Sequence, residues 1–259
     1  MKPWIEAARL RTLPLALSSI LMGCFLAAAH AKFSWTIAVL AVVTTIFLQV
    51  LSNFANDYGD AVNGKVTEAR QGPQRAVQSG AITAKAMRTA IIVFSILSLL
   101  SGIGLLYEAL KDADWHTFAV FFGLGILAII AAITYTAGKR PYGYVGLGDL
   151  SVLIFFGWVG VLGVYYLHTQ TLDWTLLLPA TSCGLFAVGV LNINNIRDIE
   201  SDTLTGKRSV PVRLGRERAV GYQWLFLGTG MFCSVVYQLL QSGTLIPWLF
   251  VFSFTRFIR

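Results

Sequence analysis

Apolar residues run along this chain in long blocks separated by short polar and charged stretches. They do not follow the period-2 alternation of half-buried strands or the narrow stripe of a soluble helix. The blocks lie at 13–30, 36–55, 89–107, 116–136, 150–167, 174–195 and 219–240. Each is near the ~20 residues that an α-helix needs to cross hydrocarbon. A further run starts at 245, inside the closing stretch TLIPWLFVFSFTRFIR. The pattern predicts an all-α polytopic transmembrane bundle over residues 1–259, one domain with seven full spans and a short or truncated eighth. The final SFTRFIR reads as a cut span, so further C-terminal helices are expected to be missing.

Composition supports the membrane reading. Of 259 residues, 56% are hydrophobic and only 13% charged, where soluble domains carry about a quarter charged. The net charge of +7 is read as topological, so no nucleic-acid partner is expected. Cys24, Cys183 and Cys233 all fall in apolar runs at no metal-ligand spacing, which indicates packed free thiols. The start MKPWIEAARLRTLPLALSS has the basic opening of a secretion signal. Trp4, Glu6 and Arg9 make it an amphipathic lead-in to a retained first span instead.

Lys and Arg fix an expected orientation. With the N-terminus in the cytoplasm, the N-terminal segment and the loops at 57–88, 137–148 and 196–218 hold sixteen of the twenty basic residues. Only Lys32 and Lys111 fall in outside loops. Cytoplasmic loops carry such an excess, and a bacterial inner membrane is the expected site.

The two long cytoplasmic connections also hold the candidate chemistry. The second span ends LSNFANDYGDAVNG and continues KVTEARQGPQRAVQSG; the sixth ends NINNIRDIESD and continues TLTGKRSVPVRLGRERA. Asn56 and Asp60 match Asn194 and Asp198 in spacing, and Asp57 and Asp202 enrich the clusters. Residues four apart share a helix face. A single Asp at a span end is ordinarily an interfacial cap. Two clusters on one membrane side, each followed by Arg and Lys, favour a site for divalent metal and phosphate. Crowded carboxylates repel unless something positive joins them, and Mg²⁺ binds through a few carboxylates plus substrate phosphates. Arg70, Arg75, Lys139, Arg140 and Lys207 are the candidate phosphate-binding cations. Lys139 and Arg140 sit among Tyr135, Tyr142 and Tyr144. Arg213, Arg216 and Arg218 are read as topological charges, and His30, His116 and His168 as interfacial. The glycines of GYVGLGDLSV lead into a span and lack a dinucleotide-binding setting.

Taken together, NDYGD at 56–60, GPQRAVQSG at 72–80, GKRPYGYVGLGD at 138–149, NNIRDIESD at 194–202 and GKRSVPVRLGR at 206–216 resemble the UbiA superfamily of intramembrane prenyltransferases. Within it they are most similar to the branch whose acceptor is 1,4-dihydroxy-2-naphthoate. The resemblance implies a transmembrane bundle of the UbiA type, usually of nine helices. It implies Mg²⁺ held by Asn56, Asp57, Asp60, Asn194, Asp198 and Asp202. It further implies a polyprenyl diphosphate on Asn56, Arg70, Arg75, Lys139, Arg140, Asn194 and Lys207, with Asp60, Asp198, Lys139 and Tyr135 as catalytic residues. The expected reaction is polyprenyl transfer to the naphthoate with loss of CO₂ and diphosphate, forming demethylmenaquinone. The family's N-x-x-x-D-x-x-x-D pattern is complete at Asn194, Asp198 and Asp202. In the first motif Gly64 takes the third position, and Asp57 or Glu68 is the candidate replacement. Two alternatives stay open on the residues: a related prenyltransferase acting on 4-hydroxybenzoate, and a transporter that uses the carboxylates as a cation site. Donor chain length and oligomeric state are not encoded in any readable motif.

Overall fold

The structure is a computed structural model; it describes residues 1–64, 75–241 and 248. Every regular element among the described residues is helical, and seven helical segments are long and apolar enough to cross a membrane. The first is Lys2–Ala29. It contains α1 (Lys2–Ala8), a tight turn at Leu10–Thr12 and α2 (Leu13–Ala29). Then follow α3 (Trp35–Val62), α4 (Ala84–Leu110), α5 (Trp115–Thr134), α6 (Gly148–Thr169) and α7 (Leu177–Arg197). The short helices α8 (Ile199–Leu204) and α9 (Val210–Leu214) lead to the long α10 (Arg216–Leu240). Each of the seven expected spans coincides with one of these segments. The expected eighth lies outside the described residues, apart from Trp248.

Side chains in the sequence set the helix starts. Pro3 and Pro14 sit in the first turns of α1 and α2, where the missing N–H costs nothing. The Ser34, Thr83 and Asp114 side chains accept from the backbone N–H of Ile37, Ala86 and Thr117 and so cap α3, α4 and α5. At about 1.5 Å per residue, the 28 residues of α3 measure roughly 42 Å against ~30 Å of hydrocarbon. The helix is thus longer than one crossing requires, and its turns after Phe54 are still helical. That places the first acidic motif on a rigid helix end instead of a loop.

Helix α3 packs against α2, α4 and α5; α7 packs against α6 and α10; α2 joins the two groups by also packing on α6. Small residues allow close crossings, as is general where no hydrophobic force draws helices together. A Cβ on Gly157 of α6 would stand 2.7 Å from Ala180 O and 2.9 Å from Gly184 Cα of α7. One on Gly23 of α2 would stand 2.7 Å from Val161 O of α6. The middle of α6, Leu153–Gly163, is wound as a π-helix, an uncommon form that occurs often at functional sites.

Between these helices lies a cavity of about 1340 Å³. Along α5 its wall runs from Tyr135, just past the helix end, to Phe121. Those 135 − 121 = 14 residues correspond to about 21 Å. Leu124, Ala128, Phe155, Phe156 and Val159 make the middle of the wall apolar, and the ends of α3 and α7 close one end with polar groups.

Candidate active site

The polar end is built from the C-terminal turns of α3 and the α7–α8 junction. Asn56, Asp57, Asp60, Asn194, Asp198 and Asp202 all line the one cavity. Asp60 is 2% exposed. Its Oδ2 accepts from Arg75 Nη2 at 2.7 Å, and its Oδ1 accepts from the Tyr144 hydroxyl at 2.8 Å and from Lys207 Nζ at 3.0 Å. Lys207 Nζ also stands 3.7 Å from Asp202 Oδ1, so one ammonium lies between the two acidic segments. A buried charge is tolerated when it is paired and hydrogen-bonded, and Asp60 meets that condition.

The second motif is arranged differently. α7 ends at Arg197, and Asp198 is the junction residue, with φ −94° and ψ 9°. The helical course resumes at once, because Asp202 N–H donates to Asp198 O at 2.8 Å. Asn194, Asp198 and Asp202 thus keep nearly the common face expected of a continuous helix. Arg197 holds Asp198 with a two-pronged contact, Nε to Oδ1 at 2.8 Å and Nη2 to Oδ2 at 2.7 Å. Asn194 donates to Val190 O at 3.0 Å.

Asp57 has another use. Its Oδ2 accepts from Ala76 N–H at 3.0 Å and its Oδ1 from Val77 N–H at 3.1 Å. Both oxygens therefore clamp the segment carrying Arg75 against α3. Asn56 Oδ1 accepts from Thr136 Oγ1 at 3.0 Å. Gly64, at the place of the third family carboxylate, has φ +63°. It is the left-handed residue that ends α3, so that position no longer belongs to the helix face.

Aromatic groups from the connection between α5 and α6 close the polar end. Tyr135, Tyr142 and Tyr144 all line the cavity. Tyr135 and Tyr142 meet edge to face at 5.4 Å. Burial is the main cause that raises the pKa of all three phenols, and nearby Asp60 and Asp202 add to it for Tyr135 and Tyr144. The Tyr142 hydroxyl donates to Ala131 O at 3.0 Å and that of Tyr144 to Asp60 Oδ1 at 2.8 Å.

Of the cations expected at the site, the structure brings in Arg75 and Lys207. Lys139 and Arg140 are exposed and are not part of the cavity wall. Arg70 and Glu68 lie outside the described residues. Among the described residues no three His, Cys, Asp or Glu side chains form a ready cage for a metal ion.

Comparison with known proteins puts this arrangement in context. The profile of the UbiA prenyltransferase family matches residues 16–258. The chain belongs to the UbiA prenyltransferase family. Two relatives are each named 1,4-dihydroxy-2-naphthoate octaprenyltransferase. That of Escherichia coli K12 is 48% identical over 96% of this chain and 80% of its own. That of Haemophilus influenzae is 49% identical over 98% of this chain and 82% of its own. In fold, the chain resembles a UbiA homolog from Archaeoglobus fulgidus solved with DMAPP and Mg²⁺, at a TM-score of 0.63 and 16% identity. That likeness covers 95% of this chain and 81% of the other.

Several residues of this UbiA-family site were not singled out by sequence. Arg197 sits next to Asp198 in NNIRD, where adjacency was the available signal. Tyr144 was one tyrosine among three. Gly59, inside NDYGD, is needed because a Cβ there would meet Thr136 C and O at 2.5 Å. Asn53 donates to Ala8 O at 2.8 Å and to Thr12 Oγ1 at 3.1 Å, which ties α1 to α3 and brings Arg9 and Arg11 to the cavity wall. Tyr144, Gly59 and Asn53 have no motif of their own, since each depends on a neighbour distant in sequence.

Proposed function

We propose that this chain is a Mg²⁺-dependent aromatic polyprenyltransferase that moves a polyprenyl group from polyprenyl diphosphate to 1,4-dihydroxy-2-naphthoate. Diphosphate and CO₂ leave, and the quinol form of demethylmenaquinone results. The observation that carries this reading is the convergence of two acidic helix ends, with Arg75 and Lys207, at the polar end of a long apolar cavity. The names of the E. coli and H. influenzae relatives support the acceptor and point to an octaprenyl donor.

The oxygen donors fit Mg²⁺, which is held by one or two carboxylates together with phosphate oxygens and water. Asp60, Asp198 and Asp202, with Asn56 and Asn194, would hold it; Asp57 is committed to the backbone of 76–77. When bound, Mg²⁺ supplies positive charge to the diphosphate oxygens. Arg75, Lys207 and Arg197 neutralise the charge that grows on the diphosphate as the C1–O bond breaks and its electron pair leaves with oxygen. Leu124, Phe155 and their apolar neighbours keep water from the allylic cation. A ring carbon then bonds to C1. When that carbon carries the carboxylate, loss of CO₂ returns the electron pair to the ring, and no separate base is required. Tyr135, kept protonated by burial, donates to an oxygen of the acceptor. Lys139 and Arg140, outside the cavity wall, are left out of this set.

The basic loops support a cytoplasmic location for the N-terminus and the site, in a bacterial inner membrane. Membranes holding the chain are to be incubated with dihydroxynaphthoate, Mg²⁺ and prenyl diphosphates of several lengths, and the products weighed. A Mg²⁺-dependent prenylated, decarboxylated quinol is expected. Prenylation of 4-hydroxybenzoate instead, or cation flux into liposomes without any prenylated product, would overturn the assignment.

A further inference from the structure

Tyr144 occupies a position that neither acidic motif accounts for. It is 8% exposed and makes contacts in three directions. Its hydroxyl donates to Asp60 Oδ1 at 2.8 Å. Lys207 Nζ lies over its ring, 4.9 Å from the centroid. Its backbone carbonyl accepts from Arg208 N–H at 2.8 Å. Asp60 belongs to α3, Lys207 and Arg208 follow α8, and Tyr144 comes from the connection between α5 and α6. Arg213 reinforces that docking, with Nη2 donating to Val145 O at 2.6 Å.

We propose that Tyr144 is a positioning residue that joins the two acidic segments, its hydroxyl holding Asp60 and its ring holding Lys207. The inference rests on the prenyl-transfer reading for its purpose, but its geometry stands alone. Lys207 has the choice of Asp60, Asp202 and an incoming phosphate. The ring fixes one side of the ammonium by cation–π attraction, which leaves its remaining protons directed at the carboxylates or at phosphate oxygens. The hydroxyl fixes one oxygen of Asp60, while Arg75 holds the other. Both groups are then set before substrate arrives, which lowers the ordering cost of binding.

Two substitutions separate the parts. Tyr144→Phe removes only the hydroxyl and keeps the ring over Lys207; Tyr144→Leu removes both. The Arg208–Tyr144 bond is backbone to backbone and survives each change, so the loop stays docked. A hydrogen bond to a charged group corresponds to roughly tenfold or more in an equilibrium constant. In the transfer assay, Tyr144→Phe is expected to raise the Mg²⁺ requirement and the KM for prenyl diphosphate by about tenfold. The KM for dihydroxynaphthoate and the thermal midpoint in detergent should stay near the parent's. Tyr144→Leu should lose further donor affinity. The added loss should vanish when Lys207 is also changed to Met, because a double-mutant cycle isolates the ring–ammonium contact.

Calorimetric titration of the purified full chain with Mg²⁺ and inorganic diphosphate gives a second readout that needs no turnover. It decides the role of Tyr144 even if the wild-type chain prenylates nothing. Weaker Mg²⁺–diphosphate binding in Tyr144→Phe at unchanged thermal stability is the expected result. Parental binding in Tyr144→Phe, or loss only in step with a lowered thermal midpoint, would overturn the proposal.

Discussion

Replacing Gly59 by Ala tests how the active site is set. An added Cβ at 59 would lie 2.5 Å from Thr136 C and O and 2.8 Å from Ala137 N. Carbon atoms rest at about 3.5–4.0 Å, so α3 and the end of α5 must separate by roughly 1 Å. The obstacle is backbone, which cannot rotate away. The Thr136 hydroxyl proton is shared between Ala55 O and Asn56 Oδ1, each at 3.0 Å, and Asn63 Nδ2 donates to Thr136 O at 2.9 Å. At about 1 kcal/mol for each donated proton they amount to about 2 kcal/mol. The better helix propensity of Ala returns about 1 kcal/mol. The net loss is about 1 kcal/mol, or roughly 2–4 °C in thermal midpoint for a chain of this size. The effect on turnover is larger, because a ~1 Å displacement of positioned groups costs on the order of 100-fold in rate. Thermal denaturation in detergent and the naphthoate prenylation assay measure the two. Gly104→Ala in α4 is the control, since a Cβ there meets nothing within 4 Å; it should match or exceed the parent in stability. A Gly59→Ala protein with parental midpoint and parental turnover would refute the claim that this contact sets the acidic end of α3.

Other expectations concern charge. Asp60→Ala and Asp198→Ala should each abolish prenyl transfer while membrane insertion, followed by fractionation, stays intact; normal turnover in either would remove that residue from the site. Lys207→Ala should raise the KM for prenyl diphosphate far more than Lys139→Ala, and the reverse order would show that the exposed loop, not the cavity wall, holds the phosphates. The raised pKa values of Tyr135, Tyr142 and Tyr144 predict an alkaline instability. Their neutral forms are favoured in the folded state, so the stabilisation is present below the unfolded value of about 10 and is lost as pH rises above it. A thermal midpoint that stays level from neutral pH to well above that value would contradict their burial.

Much of the architecture was legible along the chain, because crossing a bilayer imposes a local rule. About twenty apolar residues in succession must form a helix whose backbone is satisfied internally, and the rule can be applied block by block. The second acidic motif was legible for a similar reason: Asn194, Asp198 and Asp202 are four apart, and spacing on one helix is a local property. Long-range geometry was not. Asp57 and Asp60 look alike in NDYGD, yet one clamps the backbone of 76–77 and the other meets Arg75, Tyr144 and Lys207. Lys139 and Lys207 are each a Lys that follows a glycine in a basic loop, and only the second lines the cavity.

By itself, then, the chain's pattern determined the seven spans and the existence of two acidic clusters at helix ends. Tertiary structure decided which groups each carboxylate meets, which cations reach them, and why Gly59 and Tyr144 stand where they do. The physical reason is range. Hydrophobic periodicity and helical spacing act between residues a few positions apart. The hydrogen bonds and close backbone contacts that aim Asp60 join residues up to 147 positions apart, and they become visible only when α3, α7 and the loops between them are packed around one cavity.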